Sequence, residues 1–172
     1  ILGIVITPLI ALYPLAKRFV ILPPFILALT YNWGCFIGWA ALGSNIPFSS
    51  IFILYLSLIF WTLAYDTIYA TQDEKEDKKL NLYSSTLLFG SKEMIFLNLM
   101  IITKYFLIIF YGSSLDFGFI FNILVLTISL INLLDLNLIW KNKPENASSY
   151  FSRNNYYGIS ILFSILIGSH FN

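Results

Sequence analysis

At 172 residues the chain is 58% hydrophobic and only 11% charged, against about 25% charged in an ordinary soluble domain. A net charge of +1 without a clustered basic patch excludes a nucleic-acid binder. The lone Cys35, inside an apolar run, excludes a disulfide framework and a cysteine metal site.

Apolar runs cover residues 1–16, 24–42, 48–65, 94–111, 117–140 and 156–171, and each is long enough, or nearly so, to cross ~30 Å of hydrocarbon. They are too numerous for a signal peptide and lack the polar outer faces of soluble core helices. The expected fold is all-α, a polytopic membrane bundle of six transmembrane helices forming one domain over residues 1–172. The chain opens at Ile1 already inside an apolar run, as the later part of a longer protein would.

The first run closes with "ALYPLAKRF", which places Tyr13 and Lys17 at i,i+4 around Pro14, with Arg18 adjacent. Lysine is a point cation suited to a diphosphate, whereas arginine offers a fork that matches a carboxylate. Two ordinary interfacial anchors would look the same. The second run holds Trp33 and Trp39, the third Trp61, and the fifth ends at Trp140, where an interfacial ring is expected.

The third run leads into "AYDTIYATQDEKEDKKL", residues 64–80, with five of the nine acidic residues. At ~100° per residue on a helix, Asp73 and Asp77 fall about 20° to either side of Asp66, with Tyr69 between Asp66 and Asp73 along the chain. This makes a stripe at spacings of three, four and four, running ~16 Å from the membrane into the loop. Like charges at i,i+4 weaken a helix, so the stripe makes sense if a divalent cation neutralises it. Mg²⁺, shared with substrate phosphates and completed by water, suits such ligands. A solvated loop of mixed charge would give the same spacing, although Asp66 follows "WTLAY" at the membrane boundary, where an unpaired carboxylate is costly.

Further along, Lys104 falls in the middle of the fourth run, with Asp135 of the fifth as its candidate partner. Asn98, Asn122, Asn132 and Asn137 read as interhelical hydrogen-bonders, and His170 as an interfacial side chain. The connections 43–47 and 112–116 carry no Lys or Arg. Lys17, Arg18, Lys75, Lys78, Lys79, Lys92, Lys141, Lys143 and Arg153 all fall on the opposite side of a six-span arrangement, nine of the ten basic residues. The positive-inside rule makes that side cytoplasmic. Charges gathered at one face argue against a transporter, which would place them around a midplane site.

In this order, "YPLAKRF", "LPPFILALTYNWG", "WTLAYDTIYATQDEKED", "LYSSTLLFG" and "YFSRNNYYG" resemble the UbiA superfamily of intramembrane prenyltransferases, and most closely its 4-hydroxybenzoate branch. The resemblance covers essentially the whole chain. It implies a nine-helix bundle of which these would be helices four to nine, with the N-terminal helices and the first of two Asp-rich motifs absent, so that the segment alone is expected to be inactive. It further implies transfer of a polyprenyl group from polyprenyl diphosphate to 4-hydroxybenzoate in ubiquinone synthesis, with Mg²⁺ as cofactor. The implied metal ligands are Asp66, Asp73 and Asp77. Tyr13 and Lys17 match a YxxxK element acting with Asp66 on the diphosphate. Tyr69 would help bind substrate, and Arg18 the carboxylate of the aromatic acid. The implied setting is a bacterial inner membrane, or that of mitochondria, with the Asp-rich loop on the cytoplasmic or matrix side. Other acceptors of the superfamily, homogentisate, a dihydroxynaphthoate, haem or a chlorophyll precursor, remain open. Asn81 stands where relatives usually have Gly, Tyr83 where they often have Lys, and Glu76 where an Asp is common.

Overall fold

A computed structural model describes residues 1–43, 45–139 and 147–170. Trp140, two of the one-sided cations (Lys141 and Lys143) and the last residue of the sixth run, Phe171, lie outside the described residues. The described residues contain helices and no strands. Five helical segments are long and apolar enough to cross a membrane: Leu2–Phe19, Pro23–Leu42, Phe48–Ala70, Ser85–Ser113 and Phe119–Leu138. The chain is an integral membrane protein.

The elements in chain order show where backbone chemistry interrupts the apolar runs. Helix α1 (Leu2–Leu12) tightens into a 3₁₀ turn at Tyr13–Leu15, then resumes as the short α2 (Ala16–Phe19). Pro14 has no N–H to continue the α ladder, which accounts for the turn. The second run divides into α3 (Pro23–Tyr31), opened by prolines in its first turn, and α4 (Gly34–Leu42). The break at Asn32 was not expected. The Asn32 amide donates to the carbonyls of Ala28 and Leu58 and to Thr62 Oγ1, at 2.9, 3.1 and 2.7 Å. The carbonyl that the break leaves without its α-helical N–H, that of Leu29, accepts instead from the Tyr55 hydroxyl at 3.0 Å.

Helix α5 (Phe48–Ala70) is unbroken and ~34 Å long. Beyond it come α6 (Glu74–Lys79), α7 (Ser85–Phe89), α8 (Glu93–Ser113), α9 (Phe119–Ile139) and α10 (Ala147–His170). α10 differs from expectation in two ways. It begins nine residues before the sixth apolar run, so Arg153 lies on a helix rather than in a connection. Its polar first half also keeps it outside the five apolar segments.

α5 is the hub. It packs most extensively on α8 and also against α3, α4 and α10, while α9 lies across α8 and α10. One core cluster joins Ala64 and Ile68 of α5 to Leu97, Ile101 and Ile108 of α8 and Phe121 and Val125 of α9. The other joins Ala28, Phe36, Ile51, Tyr55 and Ile59 across α3, α4 and α5. Outside, Ile102, Phe106 and Phe110 on α8 and Leu126, Leu130 and Leu134 on α9 form exposed apolar stripes at i+4 spacing, as lipid-facing helices do. Because lipid is as apolar as leucine, association there rests on close packing. Gly112 supplies it: a Cβ at this position would lie 2.1 Å from the Phe121 ring.

Polar residues inside the bundle pair differently from the sequence-based expectation. Lys104 Nζ, fully buried, donates to Asn132 Oδ1 at 3.3 Å and lies over the rings of Trp61 and Tyr105. Asn132 in turn donates to the Tyr150 hydroxyl at 2.8 Å. Asp135, one turn along α9, instead accepts from Arg153 and from the Tyr157 hydroxyl. Among the described residues, Asn132 is the one of the four asparagines that bonds between helices. Asn98 and Asn137 donate to carbonyls of their own helices, and Asn122 Oδ1 has no hydrogen-bond partner among the described residues.

Candidate active site

The acidic stretch does not continue α5 as one helix. Thr71 turns its hydroxyl back onto the Ile68 carbonyl at 2.8 Å, and the chain turns through 71–73 before α6 starts. Side-chain bonding of this kind competes with the helical ladder. α6 then opens behind Asp73 with Glu74, Glu76 and Asp77 in its first turn and closes with Lys78 and Lys79 in its last. Acid at the N-terminus and base at the C-terminus both favour a short helix electrostatically. The turn folds the stripe back over the end of α1–α2.

Lys17 stands at the meeting point. Its ammonium donates to both carboxylate oxygens of Asp77 at 2.9 Å each and lies 3.6 Å from Asp73 Oδ2. The backbone closes the same junction twice. The Tyr83 N–H donates to the Lys17 carbonyl at 2.8 Å, and the Leu82 N–H to the Asp77 carbonyl at 2.9 Å. Between them Asn81 adopts φ +53°, the left-handed region that glycine enters freely and asparagine tolerates. The Asn81 departure is therefore accommodated without a change of backbone.

These elements surround a cavity of about 240 Å³ lined by Tyr13, Lys17, Asp66, Tyr69, Asp73, Tyr83, Ser84 and Ser85, among others. The hydroxyls of Ser84 and Thr86 share a hydrogen bond at 2.9 Å, whereas that of buried Ser85 has no partner among the described residues. Tyr13, Lys17, Asp66, Tyr69 and Asp73 all line this one cavity. Two residues are not. Asp77 is buried beneath Lys17 and does not line the cavity, and Arg18 is exposed and lines neither this cavity nor the next.

A second cavity of about 660 Å³ lies between α3, α5 and α10. On α5 its wall is Leu58, Trp61, Thr62 and Tyr65, the i, i+3, i+4, i+7 positions of one helical face that continues to Tyr69 in the first cavity. On α10 the wall is Phe151, Asn154, Asn155, Gly158, Ile159 and Leu162, again a single helical stripe. Phe151 packs on both Tyr65 and Tyr69, with ring centroids 5.5 and 5.0 Å apart, at the junction of the two cavities. The α10 wall had no role assigned from the sequence, although its spacing in and beyond "YFSRNNYYG" carries the signal.

Two carboxylates, Asp66 and Asp73, face the first cavity. Among the described residues no three His, Cys, Asp or Glu side chains are grouped closely enough to hold a metal by themselves. Two hard oxygen donors fit a cation such as Mg²⁺, which retains several waters and shares phosphate oxygens with a substrate. The lysine beside them fits the same anionic ligand.

The model of the UbiA prenyltransferase family matches residues 1–161. A protein of Francisella tularensis subsp. novicida (strain U112) named 4-hydroxybenzoate octaprenyltransferase is 36% identical over 156 residues, 91% of this chain and 55% of that protein. The mitochondrial 4-hydroxybenzoate polyprenyltransferase of Dictyostelium discoideum is 31% identical over 163 residues, 93% of this chain and 35% of its own length. The chain spans about half the length of the bacterial relatives it matches. No solved structure matches it.

Proposed function

The chain belongs to the UbiA prenyltransferase family, and from that premise we propose that it transfers a polyprenyl group from polyprenyl diphosphate to 4-hydroxybenzoate. The observation that carries the reading is that the two cavities lie next to each other along one face of α5. A small cavity holding Lys17, Asp66 and Asp73 opens beside a larger aromatic and apolar one. A diphosphate head with a hydrocarbon tail has the same two-part chemistry.

In this reading the diphosphate occupies the first cavity, with Asp66 and Asp73 as the groups that would hold Mg²⁺. When bound, the metal supplies Lewis-acid neutralisation of the leaving group. Lys17 and the Tyr13 hydroxyl lie where negative charge grows as the allylic C–O bond breaks and its electron pair leaves with the diphosphate. Tyr65, Tyr69 and Phe151 flank the carbon end, and their ring faces favour an allylic cation. The ring carbon of the acceptor ortho to the phenol supplies the pair for the new C–C bond, and its proton departs to restore aromaticity. Both prenyl substrate and product remain in the bilayer, a bacterial or mitochondrial inner membrane, with the acidic loop on the cytoplasmic or matrix side.

The test is product analysis with the full-length protein in liposomes, supplied with a polyprenyl diphosphate and 4-hydroxybenzoate, homogentisate or a dihydroxynaphthoate in turn. Mass spectrometry should find the prenylated acid with its carboxylate intact. Product from homogentisate or the naphthoate alone would reassign the acceptor.

A further inference from the structure

Asp77 belongs by spacing to the acidic stripe, yet its surroundings differ from those of Asp66 and Asp73. Its side chain is 5% exposed, against 48% for Asp73. It is absent from the cavity wall that the other two share. Both of its oxygens already accept from Lys17 at 2.9 Å. An ammonium has three donors, so two are committed to Asp77 and one remains for the cavity, on the side where Asp73 lies 3.6 Å away. The backbone bonds from Leu82 and Tyr83 clamp the carbonyls of the same two residues. The backbones that carry the two partners are therefore held together at this junction.

We propose that Asp77 is a positioning residue that aims the third N–H of Lys17 at the substrate diphosphate, and that the metal-holding carboxylates of the stripe are Asp66 and Asp73 alone. The inference rests on the diphosphate reading of the cavity.

The experiment uses the full-length protein in detergent, with Mn²⁺ binding followed by electron paramagnetic resonance and with steady-state kinetics in both substrates. Asp73→Asn should weaken Mn²⁺ binding at least ~10-fold. Asp77→Asn should leave it within ~2-fold while raising KM for the prenyl diphosphate ~10-fold, the loss of one aimed charge-assisted contact. KM for the acceptor should not move. Because Asp77 acts through Lys17, adding Asp77→Asn to Lys17→Met should change KM less than ~2-fold, the non-additivity expected of a coupled pair. The double variant leaves no unpaired buried charge, so it also guards against misfolding of the single one. If Asp77→Asn weakens Mn²⁺ as much as Asp73→Asn does, or adds its full effect to Lys17→Met, the positioning role is wrong and the diphosphate reading survives. If neither aspartate variant alters Mn²⁺ binding, both fall together.

Discussion

Lys104 and Asn132 meet at 3.3 Å in the closed interior between α8 and α9, and no carboxylate takes part in the contact. The lysine is held instead by one amide oxygen and the faces of Trp61 and Tyr105, at 4.5 and 4.0 Å. An amine so enclosed is costly to leave without its acceptor, whereas a hydrophobe of similar length fits the same space. Asn132→Leu should lower unfolding free energy in detergent by ~1–3 kcal/mol, and Lys104→Met should be neutral or stabilising. Thermal unfolding of the two variants decides it. The reverse ranking would mean that the lysine has a role the packing does not reveal.

Asn81 at φ +53° sets the strap between Asp77 and Lys17. Asn81→Gly keeps that conformation available and should change stability and activity little. Asn81→Val places a β-branched residue where it is strained by ~1–2 kcal/mol. It should raise KM for the prenyl diphosphate, because Lys17 is held through this turn. Kinetics on both variants check the ordering Gly below Val.

Gly158 lies in the wall of the larger cavity, where an added Cβ would sit 3.2 Å from the Trp61 ring. Gly158→Leu should therefore narrow the cavity without touching the charged residues above it. The expected outcome is a fall in kcat/KM for long polyprenyl diphosphates of ~10-fold or more, the scale of a few lost methylene contacts. The shortest allylic diphosphate should be less affected. Assays across a chain-length series read this directly, and an equal loss at every length would place the tail elsewhere.

Arg18 is exposed and borders neither cavity. Its place beside Lys17 still turns it ~100° away on the short helix. Arg18→Ala should change KM for 4-hydroxybenzoate less than ~3-fold, within the range of an exposed charge. A rise of ~10-fold or more would restore it as the partner of the acceptor carboxylate.

What the sequence made legible followed from strong, redundant signals. The apolar runs marked the long helices, and the one-sided charges put the ends carrying Tyr13, Lys17, Asp66, Tyr69 and Asp73 on the same membrane face, where they line one cavity. Periodicity places the acidic stripe on one helix, because it cannot register the Thr71 hydroxyl bonding back to Ile68. The order of acids before lysines in 73–79 did contain the second helix. Hidden altogether was the exchange of partners, Lys17 with Asp77 and Lys104 with Asn132, since it depends on how separate helices pack. The stripe on α10 was visible as i, i+3, i+4 spacing but had no chemistry of its own until α5 stood opposite.

In the proposed function the prenyl diphosphate reacts in the cavity at the end of α5, with Asp66 and Asp73 open to it. The most direct measurement is turnover of Asp66→Asn and Asp73→Asn in the full-length protein, at matched membrane insertion and saturating acceptor. Losing one hard-oxygen donor at a metal–diphosphate site removes several kcal/mol of transition-state stabilisation. Each variant should therefore fall at least ~100-fold in kcat/KM for the prenyl diphosphate. Wild-type turnover in both would show that the diphosphate does not react there and leave the acidic stretch as a solvated turn.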